Sequence, residues 1–475
     1  MLHKVWQDRV KDVVQNKLET NVLAAFNTNV DVVVHLTNSC LEVVEADPQV
    51  DVEKVKRLLK TDIGTITNEN EFLAVLLEAL AAGKSHYIVL ENLDLLAWLE
   101  EKFSVRKESM GGQAGIIANQ MAALGAHSLV YTSLLSPKQG SMFFPDVQVP
   151  VVNGGLKTVN VMDGVKSDDH TKENWIFEYA KGEKFEIAGQ TIETPRANRV
   201  ILATRPAGVV MGFSPEMEDV LPELGEELDV AFLAGFHYAP TEPNKLNEYL
   251  ASSMESVRKL KEANPRLRLH FEYVPMNEDA AEKAMLQAVA SEIQSFGINE
   301  NEIKRVLSIF DHEIECAAIE ENERAYCLYK GALRIMEELG FERIQLHNLG
   351  YYVVLLNKPY ELDPRHVRES CLYASAVNAI KAKYGGYVLH ENLAEGGDIP
   401  LSEIGLKQVR GFAKEMRNLG ISIPKNFEED GILEFDSHIV LVIPAHVVPN
   451  PVSTVGMGDT ISSSSFAYEW NHNAK

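Results

Sequence analysis

The chain has 475 residues, of which 45 % are hydrophobic and 24 % are charged, so it can bury a large core without a disulfide or a structural metal. Its 45 Lys and Arg residues stand against 69 Asp and Glu residues, which gives a net charge of −24. This charge repels the phosphates of nucleic acids and anionic lipid headgroups, and it argues against both as partners. Because a single core usually stops growing near roughly 250–300 residues, the length predicts two domains or one large domain with a lid.

The first 18 residues predict an amphipathic helix and not a signal peptide, since Trp6, Val10 and Val14 share one face between charged residues. The four cysteines form no C-x-x-C pair, which speaks against a zinc site and favours reduced thiols. The most apolar stretch, 439–448, is far shorter than the roughly 20 residues of a membrane span. These features predict a soluble, cytoplasmic protein.

Short apolar runs alternate along the chain with longer charged segments whose apolar residues recur at helical spacing. The runs predict buried strands at 22–26, 128–135, 230–236, 267–274, 306–310, 343–349 and 438–448. The longer segments predict helices at 112–125, 243–263, 277–296, 321–339, 363–383 and 402–418. This βαβ alternation predicts a doubly wound parallel sheet with helices on both faces.

Two intervals interrupt the alternation, and the second contains strand-like segments joined by turns such as Lys181-Gly182 and Ala188-Gly189. A small antiparallel sheet inserted twice into an α/β domain would form a discontinuous lid that can close over a cleft and exclude water. We therefore predict a large domain made of 1–34, 109–149 and 206–475, and a small lid domain made of 35–108 and 150–205.

A glycine-rich turn, Gly456-Met457-Gly458-Asp459, follows the apolar strand that ends near Val448 and opens a helical segment. Backbone N–H groups of such a turn can approach an anion at the positive end of a helix. An Asp in the first turn can also stabilise the helix by capping it. The residues alone leave both interpretations of Asp459 open, an active-site acid and a cap.

Carboxylates follow two predicted strands. Glu272 ends the segment His270-Phe271-Glu272, and Glu313 and Glu315 come directly after the predicted strand 306–310. Ligands of open α/β sheets lie beyond the carboxyl ends of the strands. Each Glu alone is compatible with a solvated loop acid, whereas together with a phosphate-type turn they suggest a hydrated Mg²⁺ site.

Two further motifs carry polar groups and glycines. Asn29 and Asp31 follow the strand 22–26, and the segment 110–115, MGGQAG, opens the helix 112–125. Asn and Asp side chains offer the donors and acceptors that sugar hydroxyls need, and paired glycines let the backbone come close. Either motif alone is more often a turn or a helix cap.

The order FNTNVD, MGGQAGIIAN, HFE, SIFDHEIE, QLHN and VSTVGMGDT closely resembles the archaeal ADP-dependent sugar kinases, glucokinase and 6-phosphofructokinase, of the ribokinase-like superfamily. The resemblance spans almost the whole chain. It implies a ribokinase-like fold and transfer of the β-phosphoryl group of ADP to a sugar hydroxyl, which leaves AMP. The two long insertions and the chain length favour this branch over an ATP-dependent ribokinase-like enzyme.

The resemblance implies that Asp459 is the base that takes the hydroxyl proton. It also implies an anion hole, which binds the nucleotide phosphates, made by the backbone amides of Val455, Gly456, Met457 and Gly458. Glu272 matches the Glu of the family's His-x-Glu, and Glu315 matches that of its Asn-x-x-Glu, with His312 in the place of Asn. Both glutamates are thereby linked to Mg²⁺ or another divalent cation.

On the sugar side, the resemblance implies contacts from Asn29, Asp31, Gly111, Gly112 and Gln113. On the adenine side, the sequence retains the family's histidine as His347, and Asn348 stands where the family usually has Thr. A histidine in a buried strand can also be a core residue with all its hydrogen bonds made, so His347 has two interpretations.

Lys172, Arg199 and Arg205 lie in segments that resemble the sugar-phosphate contacts of the phosphofructokinase members, where they would clamp a 6-phosphate. His86 and Tyr87 stand near the position where glucose-using relatives carry a Glu. The resemblance therefore favours the 1-hydroxyl of fructose 6-phosphate as acceptor, in glycolysis. A glucokinase, a bifunctional enzyme and a non-catalytic sugar- or nucleotide-binding homologue are the alternatives.

Overall fold

The computed structural model describes residues 2–59 and 61–471, and these form one large sheet, one small sheet and a hairpin. The strands are β1 (Asn21–Phe26), β2 (Asn29–His35), β3 (Thr65–Ile66), β4 (His86–Leu90), β5 (Lys107–Gly111), β6 (His127–Tyr131), β7 (Gln148–Val152), β8 (Leu156–Asn160), β9 (Glu173–Tyr179), β10 (Lys184–Ile187), β11 (Gln190–Glu193), β12 (Asn198–Thr204), β13 (Val230–Ala234), β14 (Arg268–Glu272), β15 (Ser295–Asn299), β16 (Arg343–Asn348), β17 (Tyr351–Asn357), β18 (Ile432–Glu434) and β19 (His438–Pro444).

The helices are α1 (Leu2–Val13), α2 (Asn38–Glu45), α3 (Val52–Leu58), α4 (Glu69–Ala82), α5 (Leu95–Lys102), α6 (Gln113–Leu124), α7 (Pro137–Gly140), α8 (Leu221–Glu226), α9 (Pro243–Glu262), α10 (Asp279–Ala290), α11 (Glu300–Ile309), α12 (Glu313–Glu321), α13 (Ala325–Leu339), α14 (Pro364–Tyr384), α15 (Glu403–Asn418), α16 (Phe427–Asp430) and α17 (Met457–Glu469). None of the helices in the described ranges is long and apolar enough to cross a membrane.

The large sheet has the order β18-β19-β17-β16-β15-β14-β13-β1-β6-β7-β8, and its centre from β16 to β7 is parallel. Alternate residues of its strands enter two separate cores: Leu23 and Ala25 of β1 face one, and Val22 and Ala24 face the other. Strands buried on both faces read as continuous apolar runs, which is why the sequence predicts most of them. The doubly wound arrangement agrees with the predicted one.

The small sheet has the order β3-β4-β12-β9-β2-β5. Val30, Val32 and Val34 of β2 are fully buried under helices on one face. Because side chains alternate along a strand, Asn29 and Asp31 lie on the opposite face, free of that core. One face of this sheet is therefore structural and the other is polar.

The two sheets do not divide the chain at the predicted domain boundaries of 35–108 and 150–205. Strands β2 and β5 pair within the small sheet, so the first segment of this sheet runs from Asn29 to Gly111. Strands β7 and β8 extend the large sheet, so the second segment of the small sheet begins near Lys172. The reason is that the chain leaves β1 through only two residues, whereas 148–160 forms a hairpin at the edge of the large sheet.

The predicted strand 306–310 is wrong, because this run lies at the end of α11. Asn299 begins that helix with a capping box, in which its side chain accepts from Glu302 N and the Glu302 carboxylate accepts from Asn299 N. The apolar run is one face of an amphipathic helix, and the strand is β15, which sequence periodicity had assigned partly to a helix. Glu313 and Glu315 therefore follow a helix and belong to α12.

A buried ion pair joins α17 to the middle of the large sheet. Arg343 Nε on β16 lies 3.0 Å from Glu469 Oε2, and both side chains are almost completely buried. Arg343 also donates to Gln345 and Ser465, and Tyr360 donates to Glu469. The C-terminal end of α17 is thus fixed against the sheet.

We expect Arg343→Met to lower the free energy of unfolding by about 3–5 kcal/mol, because Glu469 would stay buried without its cation. Denaturant unfolding measures this loss. The double variant Arg343→Met/Glu469→Leu removes both charges and should lose less than the single variant. A single variant as stable as the parent chain would contradict the role given to the pair.

Candidate active site

Five neighbouring parallel strands, β1, β13, β14, β15 and β16, end at one edge of the large sheet, and polar residues follow or end each of them. Their carboxyl ends face the N-terminus of α17, which carries the Gly-x-Gly-Asp turn. A crevice beyond the carboxyl ends of parallel strands is the usual ligand site of such a fold. The predicted motifs other than that around Glu315 converge on this edge.

The turn at the start of α17 requires its two glycines. Gly456 has a φ of +64°, and a Cβ there would lie 2.9 Å from Ile116. A Cβ on Gly458 would lie 3.2 Å from His347 Nε2 and 3.6 Å from Glu272 Oε1. The backbone amides of the first turn have no partner within the helix, so they are available to an anion.

Asp459 lies near two other acids, Glu272 and Asp31. Burial raises its pKa from 3.8 to about 7, and the charges of Glu272 and Asp31 act in the same direction while Lys381 opposes them. The cap of α17 is Gly456, which has no side chain. A carboxylate with a pKa near neutrality at this position suits proton transfer, which favours the active-site interpretation over the capping one.

Glu272, at the end of β14, is held in one orientation. His270 Nε2 lies 3.1 Å from Glu272 Oε2, and His270 Nδ1 lies 2.8 Å from Ser295 Oγ. Burial works to raise the pKa of Glu272, but the hydrogen bond with His270 and the nearby His347 hold it below the ordinary value. A Cβ on Gly297 would lie 2.4 Å from Glu272 Oε2, so the neighbouring strand must carry glycine there.

Glu302 belongs to the same acid cluster, and the sequence analysis missed it. Burial raises its pKa to about 8, and the charges of Glu272 and Asp459 add to that shift. Glu315, by contrast, forms an ion pair with Arg334 Nε at 2.9 Å on the neighbouring helix. The structure does not bring Glu315 to the cluster; a second Asn-x-x-Glu spacing, at Asn299–Glu302, is present in the sequence and leads to an acid that does lie there.

His347 ends β16 beside the turn of α17. Burial lowers its pKa, so the ring is neutral, and its buried Nδ1 has no hydrogen-bond partner within the described ranges. Asn348 donates to Glu323 and to the Tyr351 hydroxyl at 2.8 and 2.9 Å. His347 is therefore not a core histidine with all its hydrogen bonds made, and it adjoins Gly458 at the nucleotide end of the crevice.

The sugar-side prediction brings together Asn29, Asp31 and the glycines after β5. Asn29 Nδ2 donates to Asp31 Oδ1 at 2.6 Å, and a Cβ on Gly111 would lie 2.4 Å from that oxygen. Gly112 has a φ of +72°, and a Cβ there would meet the backbone before β2. Burial raises the pKa of Asp31 to about 6, although hydrogen bonds from Asn29 and the nearby cations oppose this.

Gln113 differs from the other predicted sugar contacts. Its Nε2 donates to the Glu272 carbonyl at 3.1 Å, and its Oε1 is buried without a hydrogen-bond partner in the described part of the chain. Gln113 thus connects the start of α6 to the end of β14. It lies between the sugar side and the acid cluster.

Lys172, which is buried, and Arg205, which is exposed, form a cationic group on the sugar side. Lys172 Nζ donates to Asn27 Oδ1 at 2.6 Å, and both cations lie over the ring of Tyr238, at 4.3 and 4.9 Å from its centroid. Burial and the charge of Arg205 lower the pKa of Lys172 to about 7, and burial and both cations lower that of His237 to about 3. Such crowding of positive charge suits an anionic ligand.

His237 and Tyr238 were not predicted from the sequence, although their position directly after the strand β13 is the signal that could have found them. Arg199 takes a more distant place. It is exposed on β12, opposite Glu178 of β9, and it acts on Asp31 through its charge alone. Of the three residues predicted to contact the phosphate, Lys172 and Arg205 therefore lie together over Tyr238, and Arg199 lies apart from them.

The geometry defines a phosphotransferase: a helix N-terminus for an anion, a carboxylate base, an acid cluster on one side and a polar, cationic pocket on the other. The family described as "ADP-specific Phosphofructokinase/Glucokinase conserved region" matches residues 20–468. The chain belongs to this family, which confirms the resemblance seen in its motifs.

The ADP-specific phosphofructokinase of Methanosarcina acetivorans is 31 % identical over 97 % of this chain and 96 % of its own. A reconstructed last common ancestor of ADP-dependent phosphofructokinases from Methanosarcinales has a TM-score of 0.88 at 30 % identity, with 98 % of each chain covered. An ADP-dependent kinase in complex with fructose-6-phosphate and ADPβS has a TM-score of 0.80 at 29 % identity, covering 98 % of this chain and 97 % of its own. The predicted fold class is confirmed.

We expect kcat/KM to fall as the pH drops below about 7, since a protonated Asp459 cannot accept the proton of the acceptor hydroxyl. A bound cation should move this acid limb to lower pH because it favours the ionised form. Asp459→Asn should lower kcat by about 10²–10⁴-fold with an unchanged thermal unfolding curve. Steady-state rates across pH test this, and a folded Asn variant with parental turnover would contradict it.

Proposed function

We propose that this chain is an ADP-specific phosphofructokinase, which transfers the β-phosphoryl group of ADP to the 1-hydroxyl of fructose 6-phosphate and yields fructose 1,6-bisphosphate and AMP. The observation that carries the proposal is the position of Asp459. It lies at the start of α17, between the acid cluster of Glu272 and Glu302 and the sugar-side residues around Asp31. Family membership supports the donor, and the cationic pocket supports a phosphorylated acceptor.

The proposed reaction needs positioning and charge stabilisation more than covalent chemistry by the protein. The acceptor hydroxyl gives its proton to a carboxylate oxygen of Asp459, and its oxygen forms a new bond to the β-phosphorus. The bond between that phosphorus and the bridging oxygen breaks, and AMP leaves with the electron pair. The amides of the first turn of α17 stabilise the negative charge on the transferring group.

The pair Lys172 and Arg205 supports a phosphate on the acceptor. Lys172 is buried and Arg205 is exposed, but both lie over one aromatic ring and repel each other, and a dianionic phosphate would remove that repulsion through charge-assisted hydrogen bonds. Glucose carries no such charge. A glucokinase or a bifunctional enzyme is the second candidate, which the family description includes.

The decisive experiment crosses ADP and ATP with fructose 6-phosphate and glucose and measures AMP and the phosphorylated sugar. The proposal expects AMP in equal amount to the sugar product and the highest kcat/KM with ADP and fructose 6-phosphate. Faster turnover with ATP would contradict the donor, and a higher kcat/KM on glucose would contradict the acceptor. No turnover with any pair would favour the non-catalytic homologue.

We expect Arg205→Ala to raise KM for fructose 6-phosphate by about 10- to 100-fold, because one charge-assisted hydrogen bond is lost. Any glucose activity should stay nearly unchanged. Lys184→Ala is the matched control, since Lys184 lies on the exposed hairpin and pairs with Glu193. Arg199→Ala should have a smaller effect than Arg205→Ala, and equal damage to both sugars would mean that Arg205 serves the fold or the nucleotide.

A divalent cation, Mg²⁺ in the first instance, fits the acid cluster. Burial and the charge of Glu272 raise the pKa values of Glu302 and Asp459, so a cation bound beside them would favour their ionised forms. No three His, Cys, Asp or Glu side chains within residues 2–59 and 61–471 are grouped to hold a metal directly. This favours Mg²⁺ that keeps its waters and is oriented by Glu272 and Glu302. When bound, the cation would neutralise charge on the nucleotide phosphates.

We expect Glu302→Gln to raise the Mg²⁺ concentration for half-maximal activity by about 10-fold or more, with little effect on KM for the sugar. The amide oxygen of Gln can still accept from Asn299 N, so the cap of α11 should persist. Glu315→Gln serves as the matched control and should leave the Mg²⁺ requirement unchanged, because Glu315 pairs with Arg334. If Glu315→Gln raised the Mg²⁺ requirement and Glu302→Gln did not, Glu315 would be the residue that orients the cation.

The proposed substrates also support a location in the cytoplasm and a role in glycolysis. ADP and fructose 6-phosphate are highly charged and do not cross membranes unaided. An enzyme that consumes both and returns AMP and a bisphosphate would therefore act where these metabolites are held. Fractionation of cells followed by activity measurement tests this location.

A further inference from the structure

Lys381 is a buried lysine near the start of α17 that has no role in the proposed reaction. Lys381, on the last turn of α14, is 5 % exposed. Its Nζ donates to the Gly386 carbonyl at 3.0 Å and lies 5.1 Å from the ring centroid of Tyr387. No carboxylate oxygen in the described part of the chain lies within 4.0 Å of this nitrogen. Lys381 is therefore a buried cation without an ion-pair partner.

Such a cation is costly unless an anion compensates it. Burial lowers the pKa of Lys381, and the charge of Asp459 opposes that shift. One carbonyl and one aromatic face leave two of its three N–H donors without an acceptor in the hydrogen bonds described. An anion bound beside Lys381 would gain both a favourable charge interaction and hydrogen bonds from the ammonium group.

The C-terminal end of α14, which carries Lys381, lies beside the loop that leads to the anion-binding turn. Val452 N, in the loop that leads to this turn, donates to the Ala382 carbonyl at 2.8 Å. Ser370 lies 3.2 Å from Ser465, farther back along both helices, so the C-terminal end of α14 lies next to the N-terminal end of α17. The residue that follows Lys381 is thus bonded to the loop before Gly456.

Tyr387 connects the lysine to the crevice. Burial raises the pKa of its hydroxyl to about 12, and the charges of Asp31 and Asp459 both add to the shift. The ring over which Lys381 lies is thus close enough to Asp31 and Asp459 to be affected by their charges.

We propose that Lys381 is a positioning residue for the β-phosphoryl group of ADP at the N-terminus of α17. Its ammonium group supplies there a full positive charge that the backbone amides of the turn cannot supply. The inference rests on the proposed function, because it assumes that a nucleoside diphosphate binds at this turn. AMP lacks the β-phosphoryl group, so it has no group for Lys381 to bind.

The test uses Lys381→Met, Lys381→Arg and the control Lys383→Met in the full chain. Lys383 lies on the same turn of α14, is exposed and has its amine over Tyr384, so its removal changes the charge of the helix equally. Calorimetry with Mg²⁺ gives the affinity for ADP and for AMP, and steady-state rates give kcat and KM for fructose 6-phosphate.

We expect Lys381→Met to weaken ADP binding and to lower kcat by about 10-fold or more, which is the cost of one charged hydrogen bond. Affinity for AMP and KM for the sugar should stay within about twofold, and the temperature of unfolding should not fall, because a buried unpaired charge is removed. Lys381→Arg should recover part of the ADP affinity, and Lys383→Met should match the parent chain.

Equal weakening of ADP and AMP, or parental ADP affinity in Lys381→Met, would overturn the proposal. If the Met variant does not fold, Lys381→Gln gives the same ratio of ADP to AMP affinity. Failure of the proposed function is a different result, since a parent chain without turnover and without preference for ADP over AMP would reveal it before any variant is made.

Discussion

The position at which α17 begins is the constraint on which the site depends. The Arg343–Glu469 pair fixes the C-terminal end of this helix in the core, and the buried serines from Ser462 to Ser465 let it pack closely against its neighbours. Its N-terminus is thereby brought to the carboxyl ends of the parallel strands. A rigid helix transmits this anchoring over its length, so a buried ion pair far from any ligand determines where the anion-binding turn lies.

Opposite charges are segregated around that turn. Glu272 and Glu302 concentrate negative charge on the nucleotide side, and Lys172 and Arg205 concentrate positive charge on the sugar side. Asp459 lies near Glu272 and Asp31, and burial together with these two charges raises its pKa to about 7 against the charge of Lys381. A chain of net charge −24 can bind two anionic substrates because a few of its cations, among them Lys172 and Arg205, are placed where phosphates would lie.

The sequence motifs predict most of the site, because local backbone geometry requires glycines and strand-end residues at these positions. Gly456, Gly458 and Gly111 are needed for close approach, and Asn29 and Asp31 follow a strand whose apolar run is unmistakable. Glu302 was missed for a reason that is also local: a five-residue apolar run looks the same in a buried strand and on one face of a helix. A strand at 306–310 points to Glu315 as the acid at its end, whereas the strand that the structure contains, β15, ends beside Glu302.

Other contacts depend on tertiary structure and have no local signal. Arg205 and Lys172 come from different strands and meet only over Tyr238, which a third segment supplies. The sheet that β2 or β7 joins is not evident from the sequence, because pairing partners decide it and the residues of a single strand do not identify its partner.

The chain passes between its two sheets four times, and residues of the crevice lie at each passage: Asn29, Gly111, Lys172 and Arg205. The small sheet is therefore not a separable module that could be exchanged for another lid. A graft of the segments between these passages would carry Asn29, Asp31, Lys172 and Arg205 with it but leave Gln113, His237 and Tyr238 behind. A change of sugar preference in this architecture therefore involves residues on both sides of the four passages.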